Sequence, residues 1–368
     1  MAQKIFTDRP VAEVIAAIQQ ERSVRKLLVV CDTFCQTLDV AQGLKKAEIE
    51  QVWFDDFIPN PLIESVNEGV RILIREACDA IIAIGGGSGM DVAKCIKLYA
   101  GCDPEKPLVE QTPVPNEIPL IALPTTAGTG SEATRYAVAY YQGNKQSITS
   151  LSIIPEYVIF RSDVLQGLPL YQKKCTVMDA LCHAIESFWS VGSTEESKVY
   201  SRDAIRMICA SLDDYLAGDT QAAANMLHAA NIAGKAINIT QTTAGHAMCY
   251  KVTSLYKIPH GHAAALCVRV LWPYMLAHKE NCVDQRGAAY LEQTFQELAE
   301  AFGFAKPEEA ADAFDQLVDR LGLERPVLNS EEELKTLAGS VNPTRLKNNP
   351  VALPEKVLYD LYRMIVRS

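Results

Sequence analysis

The sequence predicts two consecutive domains of different class: an N-terminal α/β domain with a mostly parallel, Rossmann-like sheet over residues 1–163, and an all-α domain over residues 164–368. Three observations carry that expectation. Through the first ~160 residues, short near-continuous apolar runs alternate with amphipathic stretches, as in a parallel sheet buried on both faces. Beyond about residue 165 the apolar spacing becomes that of successive helices with charged outer faces. A chain of 368 residues also exceeds what one hydrophobic core comfortably serves.

The expected strands are Leu27–Cys31, Gln51–Phe54, Ala80–Ile84 and Pro119–Pro124, with helices over 62–77 and 90–99 between them. Tyr136–Tyr141 and Ile148–Ile153 are expected to add a hairpin around Gln142-Gly143-Asn144-Lys145. In the second half, helical periodicity covers 170–192, 197–216, 220–240, 261–279, 286–303, 307–321 and 354–367. Prolines at 169, 259, 326, 343 and 350 punctuate this half, and the seam falls near Arg161–Pro169.

Composition narrows the function. A net charge of -10 argues against a broad nucleic-acid-binding face, which needs clustered Lys and Arg. The 11 cysteines are odd in number, form no CxxC pair and mostly sit in apolar runs, as expected of thiols in a reducing cytoplasm. The N-terminus has no apolar signal segment, and no apolar run approaches the ~20 residues of a membrane span. The expectation is a cytoplasmic protein with neither a nucleic-acid nor a membrane partner.

Two motifs in the first half point to a nucleotide. Gly85-Gly86-Gly87-Ser88-Gly89 follows a strand and opens a helix, so backbone N–H groups and the helix dipole can meet a pyrophosphate. It is neither G-x-G-x-x-G nor a GK[ST] loop, and a plain tight turn would use fewer glycines. Pro124-Thr125-Thr126-Ala127-Gly128-Thr129-Gly130-Ser131 also follows a strand, where open α/β sheets bind ligands; a capped helix start is its bland reading.

The second half carries a metal pattern. All 6 histidines lie between positions 183 and 278. Asp179 and His183 share a helix face, with Cβ atoms roughly 5–6 Å apart. With His246 and His260 they would make a mixed oxygen/nitrogen set suited to Fe(II), Zn(II), Co(II) or Ni(II). His228 and His278 read as packing or surface residues.

Taken together, the GGGSGMDVAK loop, the PTTAGTGSE run, Met178-Asp179-Ala180-Leu181-Cys182-His183-Ala184-Ile185-Glu186, Ala233-Gly234, Pro259-His260-Gly261 and Asn348-Asn349-Pro350 resemble the iron-containing (group III) alcohol dehydrogenase family. The resemblance covers almost the whole chain. It implies a dinucleotide-binding first domain, a metal-binding catalytic second domain, and Asp179, His183, His246 and His260 as ligands of Fe(II) or Zn(II). It further implies that Asn60, Gly86, Gly87, Ser88, Thr125, Thr126, Thr129 and Lys145 contact the cofactor. Asp32 would accept the ribose hydroxyls and repel a 2′-phosphate, favouring NAD over NADP.

The implied reaction is hydride transfer between NAD(H) and a small aldehyde or primary alcohol in a homodimeric enzyme. Where the family commonly has another histidine by the nicotinamide, this chain has Tyr250; Tyr250 and His262 are the two candidates for proton relay. The segment from Ala244 to Ala263 looks like the phosphonoacetaldehyde reductase branch, which implies a phosphonate- or carboxylate-bearing substrate, with Arg135, Lys235 and Lys251 as candidate cations. Alternative readings are a dehydroquinate synthase-like reaction using NAD transiently, or an inactive nucleotide-binding relative.

Overall fold

The computed structural model describes residues 3–367, which divide into two compact units. One runs to Leu168 and adds Gly218–Asn231; the other joins Pro169–Ala217 to Ile232 and the residues after it. The fold class is the expected one, a six-stranded parallel sheet followed by a helical region.

The first unit contains β1 (Lys4–Thr7), α1 (Val11–Arg22), β2 (Lys26–Cys31), α2 (Asp39–Leu44), β3 (Glu50–Phe54), α3 (Ile63–Arg75), β4 (Ala80–Gly85), α4 (Gly87–Tyr99), β5 (Leu120–Pro124), β6 (Tyr136–Tyr141), β7 (Asn144–Thr149) and β8 (Tyr157–Phe160). The sheet order is β1-β8-β5-β4-β2-β3, every pair parallel. Leu28, Val30, Ile81, Ala83, Leu120 and Ala122 pack with Val66 and Val70 of α3 and Val92 and Ile96 of α4. Their strand neighbours Leu27, Val29, Ile82 and Ile121 are equally buried. A strand covered on both faces needs apolar residues at every position, which is why these runs do not alternate.

Two strands escape the sequence reading. β1 and β8 have four residues each, too few to show a period, and they pair with one another at and beside the sheet edge. The hairpin forms, with its second strand at Asn144–Thr149 where the sequence reading puts it at Ile148–Ile153. Gln142 and Gly143 both take positive φ, 50° and 76°, so a two-residue turn with the twist of a type I′ hairpin pairs Tyr141 directly with Asn144.

The helical region continues with α5 (Leu170–Trp189), α6 (Glu195–Ala217), α7 (Thr220–Thr240), α8 (Ala244–Tyr256), α9 (His260–Ala277), α10 (Ala288–Phe302), α11 (Pro307–Arg320), α12 (Glu331–Gly339), α13 (Pro343–Leu346) and α14 (Glu355–Ile365). In the second unit, Trp189 packs edge-on against Trp272, with ring centroids 5.7 Å apart, and Phe295 and Phe314 add to the same core. α9 approaches α5 at Gly261, where an added Cβ would overlap the Cys175 carbonyl oxygen and lie 2.8 Å from Asp179 Cβ. Only glycine allows the two helices to come this close. Among the described residues no helix is long and apolar enough to cross a membrane.

Candidate metal centre and dinucleotide site

In the first unit the chain leaves β2 outward to β3, returns to β4, and leaves β4 in the opposite direction toward β5. A crevice opens at such a reversal, beyond the carboxyl ends of the strands. Cys31 pairs with Ile84 and Gly85 with Pro124, so Asp32, Gly86 and Thr125 each stand one residue past the sheet at that reversal. Asp32 caps the next turn, its Oδ1 accepting from Cys35 N at 2.7 Å. Gly86 is the N-cap of α4, and Gly87 and Ser88 form its first turn. A Cβ on Gly87 would sit 3.2 Å from Thr129 Cγ2, and one on Gly86 3.6 Å from Thr126. Glycine therefore lets the two loops close on one another while leaving the α4 amides available to an anion.

A buried network fixes this geometry. Lys94 on α4 donates to Ser131 Oγ (3.1 Å), Thr134 Oγ1 (3.1 Å) and Tyr136 O (2.7 Å). Asp91 accepts from Ser131 Oγ at 3.1 Å and from Val138 N at 3.0 Å. Burial raises the Asp91 carboxyl to about 6, against the nearby Lys94 charge, and lowers the Lys94 ammonium to about 8. Lys145 lies on β7, and its charge also acts on Asp91. Thr125 is buried, with its N–H donating to Gly85 O at 3.0 Å. Asn60 is exposed and takes a positive φ of 60°; Tyr140 N donates to Pro61 O beside it, holding that loop to the hairpin. All nine residues that the family resemblance assigns to the cofactor belong to this unit.

In the second unit three helices meet at a charged cluster. Asp179, His246 and His260 present ligand atoms all within 4.8 Å of one another. Asp179 Oδ1 lies 3.4 Å from His246 Nε2 and 3.9 Å from His260 Nε2. His183, one turn along α5, stacks its ring on His246 with centroids 4.3 Å apart, and its Nδ1 is buried without a hydrogen-bond partner. Burial lowers the His183 imidazole to about 4, which keeps it neutral and a lone-pair donor. Burial opposes charge on Asp179, yet His183, His260 and His246 hold its carboxyl well below the usual range.

One residue completing this centre has no assigned role in the sequence reading: Glu186, fully buried on the same face of α5. It accepts from the ring Nδ1 and backbone N of His246 and from the N–H and hydroxyl of Thr243. The i, i+4, i+7 spacing of Asp179, His183 and Glu186 is the signal that marks it. With Nδ1–H donated to Glu186, Nε2 of His246 is the atom aimed at Asp179. Burial pulls the His246 imidazole down, but Glu186 and Asp179 raise it to about 9, so a positive charge is held between the two carboxylates. A divalent ion can take the place of that proton, as metal binding at histidine does generally. The convergent oxygen/nitrogen donors of Asp179, His246 and His260 therefore fit a divalent cation, while His183, stacked on His246, stands outside that three-residue set.

The two relay candidates separate. Tyr250 on α8 lies on His260, ring centroids 5.4 Å apart at 29°, and its hydroxyl accepts from Arg345 Nη1 at 3.1 Å. His262 turns elsewhere: Nε2 donates to Glu324 O at 2.9 Å and Nδ1 faces the Tyr171 hydroxyl at 2.8 Å. Both its ring nitrogens are engaged by these two groups and not by Asp179, His246 or His260. Cys249, also without a role in the sequence reading, places its sulfur 3.5 Å from His260 Nδ1. Of the candidate cations, Arg135 packs over the Tyr136 ring in the first unit, whereas Lys235 and Lys251 lie half-buried on α7 and α8.

Comparison with known proteins identifies the family. A family model described as iron-containing alcohol dehydrogenase matches residues 2–162, and a second, for the C-terminal part of the Fe-containing alcohol dehydrogenase family, matches residues 174–366. The chain is 30% identical over 309 residues to the phosphonoacetaldehyde reductase of Streptomyces viridochromogenes, covering 80% of this chain and 78% of that protein. It is 33% identical over 258 residues to the probable alcohol dehydrogenase EutG of Escherichia coli strain K12; that match takes in 67% of this chain and 65% of that relative's length. The crystal structure of sulfoacetaldehyde reductase from Bifidobacterium kashiwanohense in complex with NAD+ is similar with a TM-score of 0.88 at 27% identity, covering 99% of this chain and 96% of that one.

Proposed function

The chain belongs to the iron-containing alcohol dehydrogenase family, and from that premise we propose that it moves a hydride reversibly between NAD(H) and a small aldehyde or primary alcohol. Its preferred substrates would be short aldehydes carrying an oxyanion, the class named by two of its relatives, phosphonoacetaldehyde and sulfoacetaldehyde reductase. The observation that carries the reading is the convergence of Asp179, His246 and His260, with the partnerless His183 nitrogen beside them.

In this reading residues 1–163 bind the dinucleotide and residues 164–368 hold the metal and the substrate. Asp179, His183, His246 and His260 are the ligands of Fe(II) or Zn(II). Bound there, such an ion supplies Lewis acidity to the substrate oxygen while the nicotinamide supplies or accepts the hydride. The chain's own part is to position and to donate hydrogen bonds. Glu186 fixes the His246 tautomer. Burial keeps the Tyr250 phenol protonated well above neutral pH, so its hydroxyl would serve the substrate oxygen as a hydrogen-bond donor and keep its own proton. Gly86, Gly87 and Ser88 hold the pyrophosphate; Asn60, Thr125, Thr126, Thr129 and Lys145 line the rest of the nucleotide, and Asp32 reads the ribose. The same reading makes the protein a cytoplasmic homodimer, in keeping with cysteines that are all free.

The test is NADH depletion by the metal-loaded protein over phosphonoacetaldehyde, sulfoacetaldehyde, succinic semialdehyde, lactaldehyde, glycolaldehyde and propanal. NADH loss in proportion to alcohol formed supports the proposal. No NADH loss with any aldehyde, metal and cofactor being bound, would overturn it. His260→Ala should lower kcat by about 10²-fold or more and release metal while leaving NADH affinity within about twofold.

A further inference from the structure

Arg345 reaches the metal cluster through a single aromatic ring. Its Nη1 donates to the Tyr250 hydroxyl at 3.1 Å, and its guanidinium carbon lies over the Tyr250 ring, 5.0 Å from the centroid. That ring in turn lies on His260, whose side chain is 35% exposed and therefore the accessible ligand of the cluster.

The position is built, not incidental. Arg345 sits on the four-residue α13, and the anchor three residues later is Asn348. Asn348 Nδ2 donates to Thr240 O (2.7 Å) and Thr242 O (3.0 Å), while its Oδ1 accepts from Ser190 Oγ (2.8 Å) and Gly192 N (3.1 Å). Val191 N adds a bond to Asn348 O at 3.0 Å. Every side-chain polar atom of Asn348 thus ties the Arg345 segment to the end of α5 and to the loop that opens α8. These two elements carry Asp179, His183 and His246, so the arginine is registered to the metal ligands themselves.

A net-acidic chain that fastens a guanidinium on the Tyr250 ring, itself stacked on His260, has placed a cation where a substrate anion can meet it. Arginine is suited to this role, because it stays charged at all working pH values and matches carboxylate, phosphonate and sulfonate oxygens with paired N–H donors. We propose that Arg345, positioned by Asn348 and backed by Tyr250, is the residue that recognises the oxyanion of the substrate. It selects short aldehydes bearing a phosphonate, sulfonate or carboxylate over neutral ones of the same length. This assignment rests on the dehydrogenase reading above and adds the residue that sets its substrate class.

The experiment compares Arg345→Gln, Arg345→Lys and wild type, all metal-loaded, on phosphonoacetaldehyde and on propanal. With Arg345→Gln the ratio of kcat/KM for the anionic over the neutral aldehyde should fall by about 30-fold, chiefly through KM, and Arg345→Lys should restore part of it. A role confined to tuning the Tyr250 hydroxyl would instead lower kcat for both aldehydes alike and leave the ratio unchanged, which overturns the proposal. As a check independent of any variant's folding, ethylphosphonate should inhibit the wild-type enzyme competitively against aldehyde; absence of inhibition also overturns it. Turnover of propanal with no preference for the anion would refute the Arg345 assignment while leaving the dehydrogenase reading intact. Failure to consume NADH with either aldehyde would end both.

Discussion

The glycine loop of the first unit and the histidine cluster of the second solve opposite problems. At the strand ends, the proposed contacts are made by the backbone: Gly86 and Gly87 present N–H groups, and a Cβ on Gly87 would press on Thr129. At the cluster, function is carried by side chains alone, drawn from α5, α8 and α9 and separated by up to 81 residues between Asp179 and His260. The contrast shows why the two sites fail differently. A backbone cradle depends on what is absent from a few consecutive residues, and it tolerates changes further along the sheet. A side-chain cluster depends on distant helices arriving in register, so small packing errors reach the chemistry.

The most damaging single change expected is Gly261→Ala. Its Cβ would overlap a backbone oxygen, which cannot rotate away, so α9 must back off α5 and carry His260 with it. Turnover should drop by about 10²-fold or more, with metal lost and NADH affinity kept; metal analysis beside NADH fluorescence titration measures both. Retained metal stoichiometry would break the claim that helix approach sets the cluster.

Glu186→Gln comes next. If the amide oxygen keeps the Thr243 bonds, the amide N–H₂ faces His246 Nδ1 and forces the proton onto Nε2, the atom meant for the metal. Metal affinity should weaken by roughly 10–100-fold without a change in NADH binding, read by competition with a chelator.

On the backbone side, Asp32→Gly should shift the NADP/NAD ratio of kcat/KM by about tenfold, a matter of ~1.4 kcal/mol. An unmoved ratio would mean that Asp32 only caps its turn.

The smallest effect concerns the network behind the cradle. Folded Asp91 releases its proton near pH 6, an unfolded aspartate near 3.8. The folded state therefore binds that proton preferentially, and the stability it adds is full below about 3.8 and lost as pH rises through 6. Asp91→Asn cannot titrate, so the Tm gap between it and wild type should change by about 4 °C across this window and stay flat above it.

Both sites are legible in the sequence to different depths. The cradle announces itself because its residues are contiguous: a strand, three glycines and a serine sit side by side, and the strand runs are continuous because both sheet faces are covered. The proposed metal ligands are legible by spacing on α5 and by family resemblance for His246 and His260. The helix that presents His246 shows no period in the sequence, because Ala244 to Cys249 are all buried and leave no polar face to set one. The direction of His262 is not legible from its nearness to His260 in sequence: two residues along a helix turn a side chain by about 200°. Glu186 is marked by its spacing on α5, but what it and Arg345 contact is hidden for a related reason. Their partners, His246 and Tyr250, are 60 and 95 residues away, and only the packed helices bring them together.

The pairing of Lys4–Thr7 with Tyr157–Phe160 has a bearing on how the protein is made. This edge strand is made about 150 residues before the strand that receives it, a delay on the order of ten seconds at usual translation speeds. Until then its apolar Ile5 and Phe6 have no mate. Nascent chains stalled before and after residue 160 should differ sharply in protease resistance, and a bulky fusion at the amino end would slow the final closure of the sheet more than it would disturb the helices.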